Sequence, residues 1–166
     1  MAALSAAVQR RYRSIYSYVQ NWRVANADTL YIGSYCCIPG AQALTSRRGY
    51  LTTFRNEQNV QWAGILIGSP GGSGASGLST SNTVVGDTSA SPVVEGSTEA
   101  GPYVGEQLAV TGVSAQTDVR QPVYASNDND LTLTANQAPI VGRVVYWYSS
   151  TTADVLFYGY LASVVI

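Results

Sequence analysis

At 166 residues the chain is the size of one domain and can bury about 70% of its unfolded surface. Charged residues are 11% of it, against a usual ~25%, and 46% are apolar, a balance that favours burying surface against partners. His and Lys are absent, which removes imidazole bases, Ser-His and Cys-His pairs, and Schiff-base or P-loop lysines, so the composition points away from an enzyme and offers no cofactor motif.

No run of about 18 apolar residues occurs, so no membrane span is expected. The first residues lack the apolar core of a signal peptide, which predicts synthesis and assembly in the cytoplasm. Charge is split along the chain. Residues 1–55 hold seven Arg against the single acid Asp28, a net of +6, and residues 56–166 hold two Arg against nine acids, a net of −7. Nucleic acid is weighed as a partner and set aside, because the whole chain is slightly acidic and carries no nucleic-acid motif. An acidic protein surface suits this all-arginine cluster better, since guanidinium groups make fixed, multidentate contacts to carboxylates.

From the N-terminus, Met1, Val8, Ile15 and Trp22 recur at seven-residue spacing, with Ser5, Tyr12 and Val19 between them. The pattern predicts an amphipathic helix over Leu4 to Arg23. Ser14-Ile-Tyr-Ser-Tyr-Val19 is rich in strand formers, so an extended arm is the alternative. Either way residues 1–27 form a basic, aromatic N-terminal element preceding a β domain over 28–166. Tyr12, Ile15, Tyr16 and Trp22, interleaved with Arg10, Arg11, Arg13 and Arg23, are the Tyr-Trp-Arg mixture enriched at interface hot spots. The competing expectation is that this stripe packs on its own domain.

Asp28 to Ile38 reads as a strand, ended by the Pro39-Gly40 turn. Within it the adjacent Cys36 and Cys37 strain any mutual disulfide and fall short of a zinc ligand set, so they are expected as small residues on opposite faces of that strand, with no metal bound. Tyr50 to Phe54 and Val60 to Ile67 are two more strands. Gly68 to Asn82 holds five Gly and five Ser, with no Gly-Lys-Ser/Thr to make a phosphate cradle, and reads as a flexible loop. Thr83 to Val85 and Pro92 to Glu95 are short strand candidates, and regular alternation resumes at Gln107 to Val113.

The stretch Gln121 to Phe157 is the most legible. Pro122-Val123-Tyr124-Ala125, the turn-forming tract Ser126 to Asp130 and Leu131-Thr-Leu-Thr134 predict a hairpin. Ile140 to Tyr148 has β-branched and aromatic residues on both parities, with Gly142 where a bulky side chain would not fit, and predicts a strand covered on both faces. Val155 to Phe157 begins the last strand, and strand character continues to Ile166. Asp128 and Asp130 could ligate Ca²⁺, but the glycine and distal glutamate of a calcium loop are missing, so turn chemistry is expected. Tyr146, Trp147, Tyr148, Tyr158 and Tyr160 could offer a sugar-stacking platform. Because neighbours on a strand alternate faces, at most half of them can point one way, and core or subunit packing is preferred.

The order "PVYAS", an acidic-Asn turn, "LTLT", a loop, "VGRVV" and "VLF" resembles the C-terminal half of the capsid decoration (cement) proteins of tailed bacteriophages. The resemblance spans roughly Glu106 to Phe157. On it, Pro122, Val123, Tyr124, Ala125, Asp128, Asp130, Gly142 and Arg143 are structural motif positions. It implies a small β-rich, non-enzymatic protein on the outer surface of a phage head, bound to the major capsid protein and usually trimeric. Arg10, Arg11, Tyr12, Arg13, Ile15, Tyr16, Trp22 and Arg23 are then the expected capsid-binding residues. The resulting expectation is an all-β sandwich or small barrel with an N-terminal helix or extended arm. A carbohydrate- or receptor-binding head appendage is the alternative function, and an enzyme would need a carboxylate pair drawn from Asp118, Asp128, Asp130 and Asp154.

Overall fold

β-branched and aromatic residues at alternate positions favour extended chain that packs one face on a core, and most strands of the computed structural model are built that way. It describes residues 12–14, 18–25, 28–40, 49–54, 60–69, 83–88, 93–135 and 139–159. In chain order the strands are β1 (Tyr12–Ser14), β2 (Tyr18–Arg23), β3 (Thr29–Tyr31), β4 (Tyr35–Pro39), β5 (Thr52–Thr53), β6 (Val60–Gly68) and β7 (Thr83–Val85). They continue as β8 (Glu95–Ala100), β9 (Tyr103–Thr111), β10 (Pro122–Ala125), β11 (Leu131–Thr132), β12 (Ile140–Ser149) and β13 (Thr152–Phe157), with one 3-10 turn at Gln116–Asp118. No α-helix occurs among the described residues.

Strands β9, β11, β10, β12 and β13 are hydrogen-bonded in that order, and β13 returns to β9, closing a five-stranded barrel. Closure removes the barrel's open edges. Strand β1 lies outside the ring, along Tyr103 to Gly105 of β9. A second sheet runs β2-β8-β6-β4-β5. Its ends are drawn together by the Val24–Leu51 bridge, where the Ala25 N–H donates to Leu51 O at 2.8 Å and the Leu51 N–H donates to Arg23 O at 2.8 Å.

One face of this sheet packs on the barrel. Tyr35, Cys37, Phe54, Val60, Trp62 and Ile65 share a core with barrel residues that include Tyr103, Val123, Leu131, Val144 and Phe157. The Phe157 ring is its node, stacked on Trp62 at 5.8 Å and 14° and lying 5.1 Å from Tyr103 and 5.9 Å from Tyr35. The Trp62 indole N–H donates to Tyr158 O at 3.0 Å, so the ring buries its polar edge without an unmet donor. The opposite face carries a second core of Val24, Cys36, Leu51, Ala63 and Leu66, joined by Leu30 and Val84 of the β3–β7 ribbon.

The sequence-level fold class holds: all β, with a small closed barrel. Several details are corrected. The described parts of the expected Leu4–Arg23 helix, residues 12–14 and 18–23, are strands, and β2 pairs with β8 at every residue from Tyr18↔Ala100 to Arg23↔Glu95. The strand-forming Tyr and Val residues prevail over a seven-residue spacing too short to commit a helix. The described part of residues 1–27 is therefore built into both sheets, and Val24 and Ala25 are fully buried. The single strand expected over Asp28 to Ile38 is broken at Ile32 and Gly33, where Gly33 takes φ +89°, and its halves join different sheets. Of the short strand expected over Pro92 to Glu95, Pro92 lies outside the described residues and Val93 and Val94 are not strand; β8 starts at Glu95 and runs on through Gly96-Ser-Thr-Glu-Ala100. The Gly68–Asn82 loop beyond Ser69 and the chain after Gly159 lie outside the described residues.

The hairpin expected from Pro122 forms as β10–β11, with Tyr124↔Thr132 and Ala125↔Leu131 in register. Cys36 and Cys37 are buried in different cores, on opposite faces of β4 as expected. At Gly142 an added Cβ would sit 2.4 Å from Leu156 O, so only glycine fits there. The covering of β12 is only partial: Val141 and Gly142 are buried on both faces, whereas Tyr146 and Tyr148 are 53% and 43% exposed.

Candidate functional site

Two regions carry the residues singled out by sequence. The first is the N-terminal element. Arg10, Arg11, Ile15 and Tyr16 lie outside the described residues, and Tyr12 and Arg13 are placed as backbone of β1 opposite Gly105 and Val104. On β2, Val19, Asn21 and Arg23 are exposed and share one face by alternation. Trp22 points the other way, half-buried against the second core, and its indole N–H donates to Thr98 Oγ1 at 3.0 Å. Arg23 and Trp22, grouped by the sequence, are thus divided between solvent and core.

The second region is the outer face of the barrel where β12, β13 and β9 run side by side. Bulges in β12 leave Val145 and Tyr148 without cross-strand partners between Val144↔Val155, Tyr146↔Asp154, Trp147↔Ala153 and Ser149↔Thr152. Tyr146 and Tyr148 come to the surface together, their ring centroids 4.7 Å apart at 61°, an edge-to-face pair. Trp147 turns inward against the first core, and its indole N–H has no hydrogen-bond partner among the described residues.

Beneath the tyrosines lies Asp154, which is buried. On β9, Ala153↔Leu108 and Val155↔Gly105 place two residues, Glu106 and Gln107, opposite Asp154 alone. That bulge gives Gln107 φ +51° and frees its N–H from the ladder. Asp154 Oδ1 accepts that N–H at 2.8 Å, and Oδ2 accepts the Tyr148 hydroxyl at 3.2 Å. The Tyr148 phenol is held above its ordinary pKa, first by loss of water around it and then by the Asp154 charge. The platform therefore consists of two positioned phenols over a carboxylate that is already bonded. Sequence reasoning missed Asp154 and Gln107 as a unit, because their meeting depends on a bulge that no local motif announces.

The remaining motif positions fall on strands and on the turn before β11. Asn127 Oδ1 accepts the N–H groups of Asn129 and Asp130, both at 2.8 Å, and the Asn127 amide donates to Asp130 Oδ2 at 2.9 Å. This is turn chemistry. Asp128 is buried, and its carbonyl accepts the Tyr35 N–H at 2.8 Å, tying the turn to the second sheet. Among the described residues no group of three or more His, Cys, Asp or Glu could hold a metal ion. Arg143 is exposed on β12 opposite Pro122 and Leu156. Burial raises the Cys36 thiol to about 12, which keeps it protonated and unreactive.

Compared with family models, curated proteins and solved structures, the chain matches none.

Proposed function

We propose that the chain is a non-enzymatic capsid decoration protein that binds the outer surface of a phage head and stabilises it by bridging major capsid subunits. The observation that carries this reading is the ordered set of motifs from Pro122 to Phe157, which coincides with four of the five barrel strands. Chemistry supports it as well. Asp154 is bonded to Gln107 and Tyr148, Asp130 to Asn127, and Asp118 to the Ser114 and Ala115 N–H groups. Carboxylates engaged in holding turns and bulges are poorly placed for acid-base work.

In this reading Arg10, Arg11, Arg13 and Arg23 meet acidic capsid surface, beside the exposed Val19 of β2, while Trp22 acts from within by fixing that strand. Rim charges act mostly on association. Mixing purified protein with heads assembled without it, then co-sedimenting across a salt series, tests the proposal. Saturable binding is expected, with slower association and a flatter salt dependence when the four arginines are replaced by Gln. Absence of co-sedimentation at saturating protein would overturn it.

A further inference from the structure

An exposed pair of aromatic rings is unusual on a surface whose nearest exposed neighbours are Ser, Thr and Gln, with Arg143 and Glu106 at its edges. Around Tyr146 and Tyr148 the neighbouring groups are Gln107, Ser149 and Thr151, all exposed, and the half-buried Thr152 opposite Ser149. The Thr151 and Thr152 hydroxyls stand 3.5 Å apart, and the Thr151 N–H donates to Ser149 Oγ at 3.4 Å. The patch is thus two aromatic rings in a rim of hydroxyls and one amide. Of the two carboxylates beside it, Asp154 is buried with both oxygens engaged, and Glu106, in the same bulge as Gln107, is half-buried and close enough for its charge to act on Tyr148.

Two physical features select among occupants. A stable subunit contact buries about 800 Å² per partner around an apolar centre, and here the apolar part is two rings enclosed by polar residues. Charges of both signs border the rings, Glu106 on β9 and Arg143 on β12, so an ionic ligand of either sign meets a like charge as well as an opposite one, and the Asp154 charge is spent on the Gln107 N–H and the Tyr148 hydroxyl. A neutral polyol ring satisfies both conditions, since its C–H face packs on an aromatic ring while its hydroxyls exchange hydrogen bonds with hydroxyls and amides.

We propose that the outer barrel face around Tyr146, Tyr148, Gln107 and Thr152 is a binding site for a short, neutral carbohydrate. Asp154 is its positioning residue: by accepting both the Gln107 N–H and the Tyr148 hydroxyl it fixes the second ring relative to the bulge. The site lies on β12, β13 and β9, whereas the capsid contact proposed above lies on β2 and the residues before it. Either can therefore fail without the other.

The test uses the isolated full-length chain with an array of neutral and anionic glycans, followed by NMR titration of the tyrosine ring protons with the neutral hexasaccharides of glucose and N-acetylglucosamine. Expected are saturable shifts confined to the Tyr146 and Tyr148 rings. Tyr146→Ala should weaken binding by about tenfold, the worth of one lost stacking contact, with Tyr148→Phe losing less. Because the ring shifts are read on the parent protein, a poorly folded variant does not remove the test. Binding confined to sialylated or sulfated glycans, no binding to any glycan, or shifts elsewhere on the surface would each overturn the proposal. So would a loss of self-association in Tyr146→Arg, which would identify the patch as a subunit contact.

Discussion

A single methyl group at Gly142 would sit 2.4 Å from the carbonyl oxygen of Leu156, a backbone atom that cannot rotate away. Gly142→Ala is therefore expected to destabilise the barrel by about 2 kcal/mol or more, in the range of overpacked core substitutions. Equilibrium denaturation in urea checks this, and a change below about 0.5 kcal/mol would show that β13 yields easily. Asp118 sets a different expectation. The Ser114 and Ala115 N–H groups hold its carboxyl below the ordinary range. A carboxyl whose folded pKa is depressed contributes stability above its unfolded value, about 3.9 for Asp, and that contribution is lost as pH falls through the lower folded value. The amide resonances of Ser114 and Ala115 should accordingly report a titration shifted to more acid pH, absent in Asp118→Ala. At this scale the sequence was legible where chemistry is local: Gly142 lies in a dense β-branched run, and Asn127 sits in a turn it organises itself. Asp154 was not, because it acts on the bulge at Glu106 and Gln107, 47 residues away from Gln107.

Strand β2 decides between an appended arm and an integral element. It is hydrogen-bonded to β8 along its length, it leads into the buried Val24, and Trp22 packs on the second core while bonding Thr98. Deleting residues 1–24 should therefore lower the melting temperature or yield insoluble protein. Trp22→Ala should cost about 2–4 kcal/mol of folding stability, as large-to-small changes do at packed aromatic sites. Thermal unfolding of both variants is the check, and an unchanged transition would restore the independent arm. The helical expectation failed here because a seven-residue spacing and a strand-forming composition coincide over the same residues, and β8 supplied a ladder that the helix could not match. Strand β8 was illegible for the complementary reason. Glu95 to Ala100 has few strand formers, and its place is set by Gly96, whose missing side chain leaves room for Leu51, Leu66 and Val24.

The whole molecule joins a closed barrel to a curled sheet through the ring cluster at Phe157, with Tyr35 and Trp62 contributed by the sheet. The all-β class was readable from period-two alternation, but the barrel's closure was not, since the β9–β13 pairing links segments whose order in space no local pattern encodes. A chain with 11% charged residues, and Val19, Val85 and Val93 exposed on its described surface, is expected to bury some of that surface against copies of itself. A homotrimer stable apart from any capsid is the expected state, and multi-angle light scattering at micromolar concentration checks it; a monomer would contradict the expectation. Trimerisation would multiply weak capsid contacts through effective concentration. The capsid role itself is tested most directly by a cryo-electron reconstruction of heads carrying the chain. The account predicts density for the barrel and the curled sheet on the outer surface, with β2 and the arginines before it facing the major capsid protein. Heads whose outer surface lacks that density, or on which the chain sits with its N-terminal strands turned away from the capsid, would contradict it.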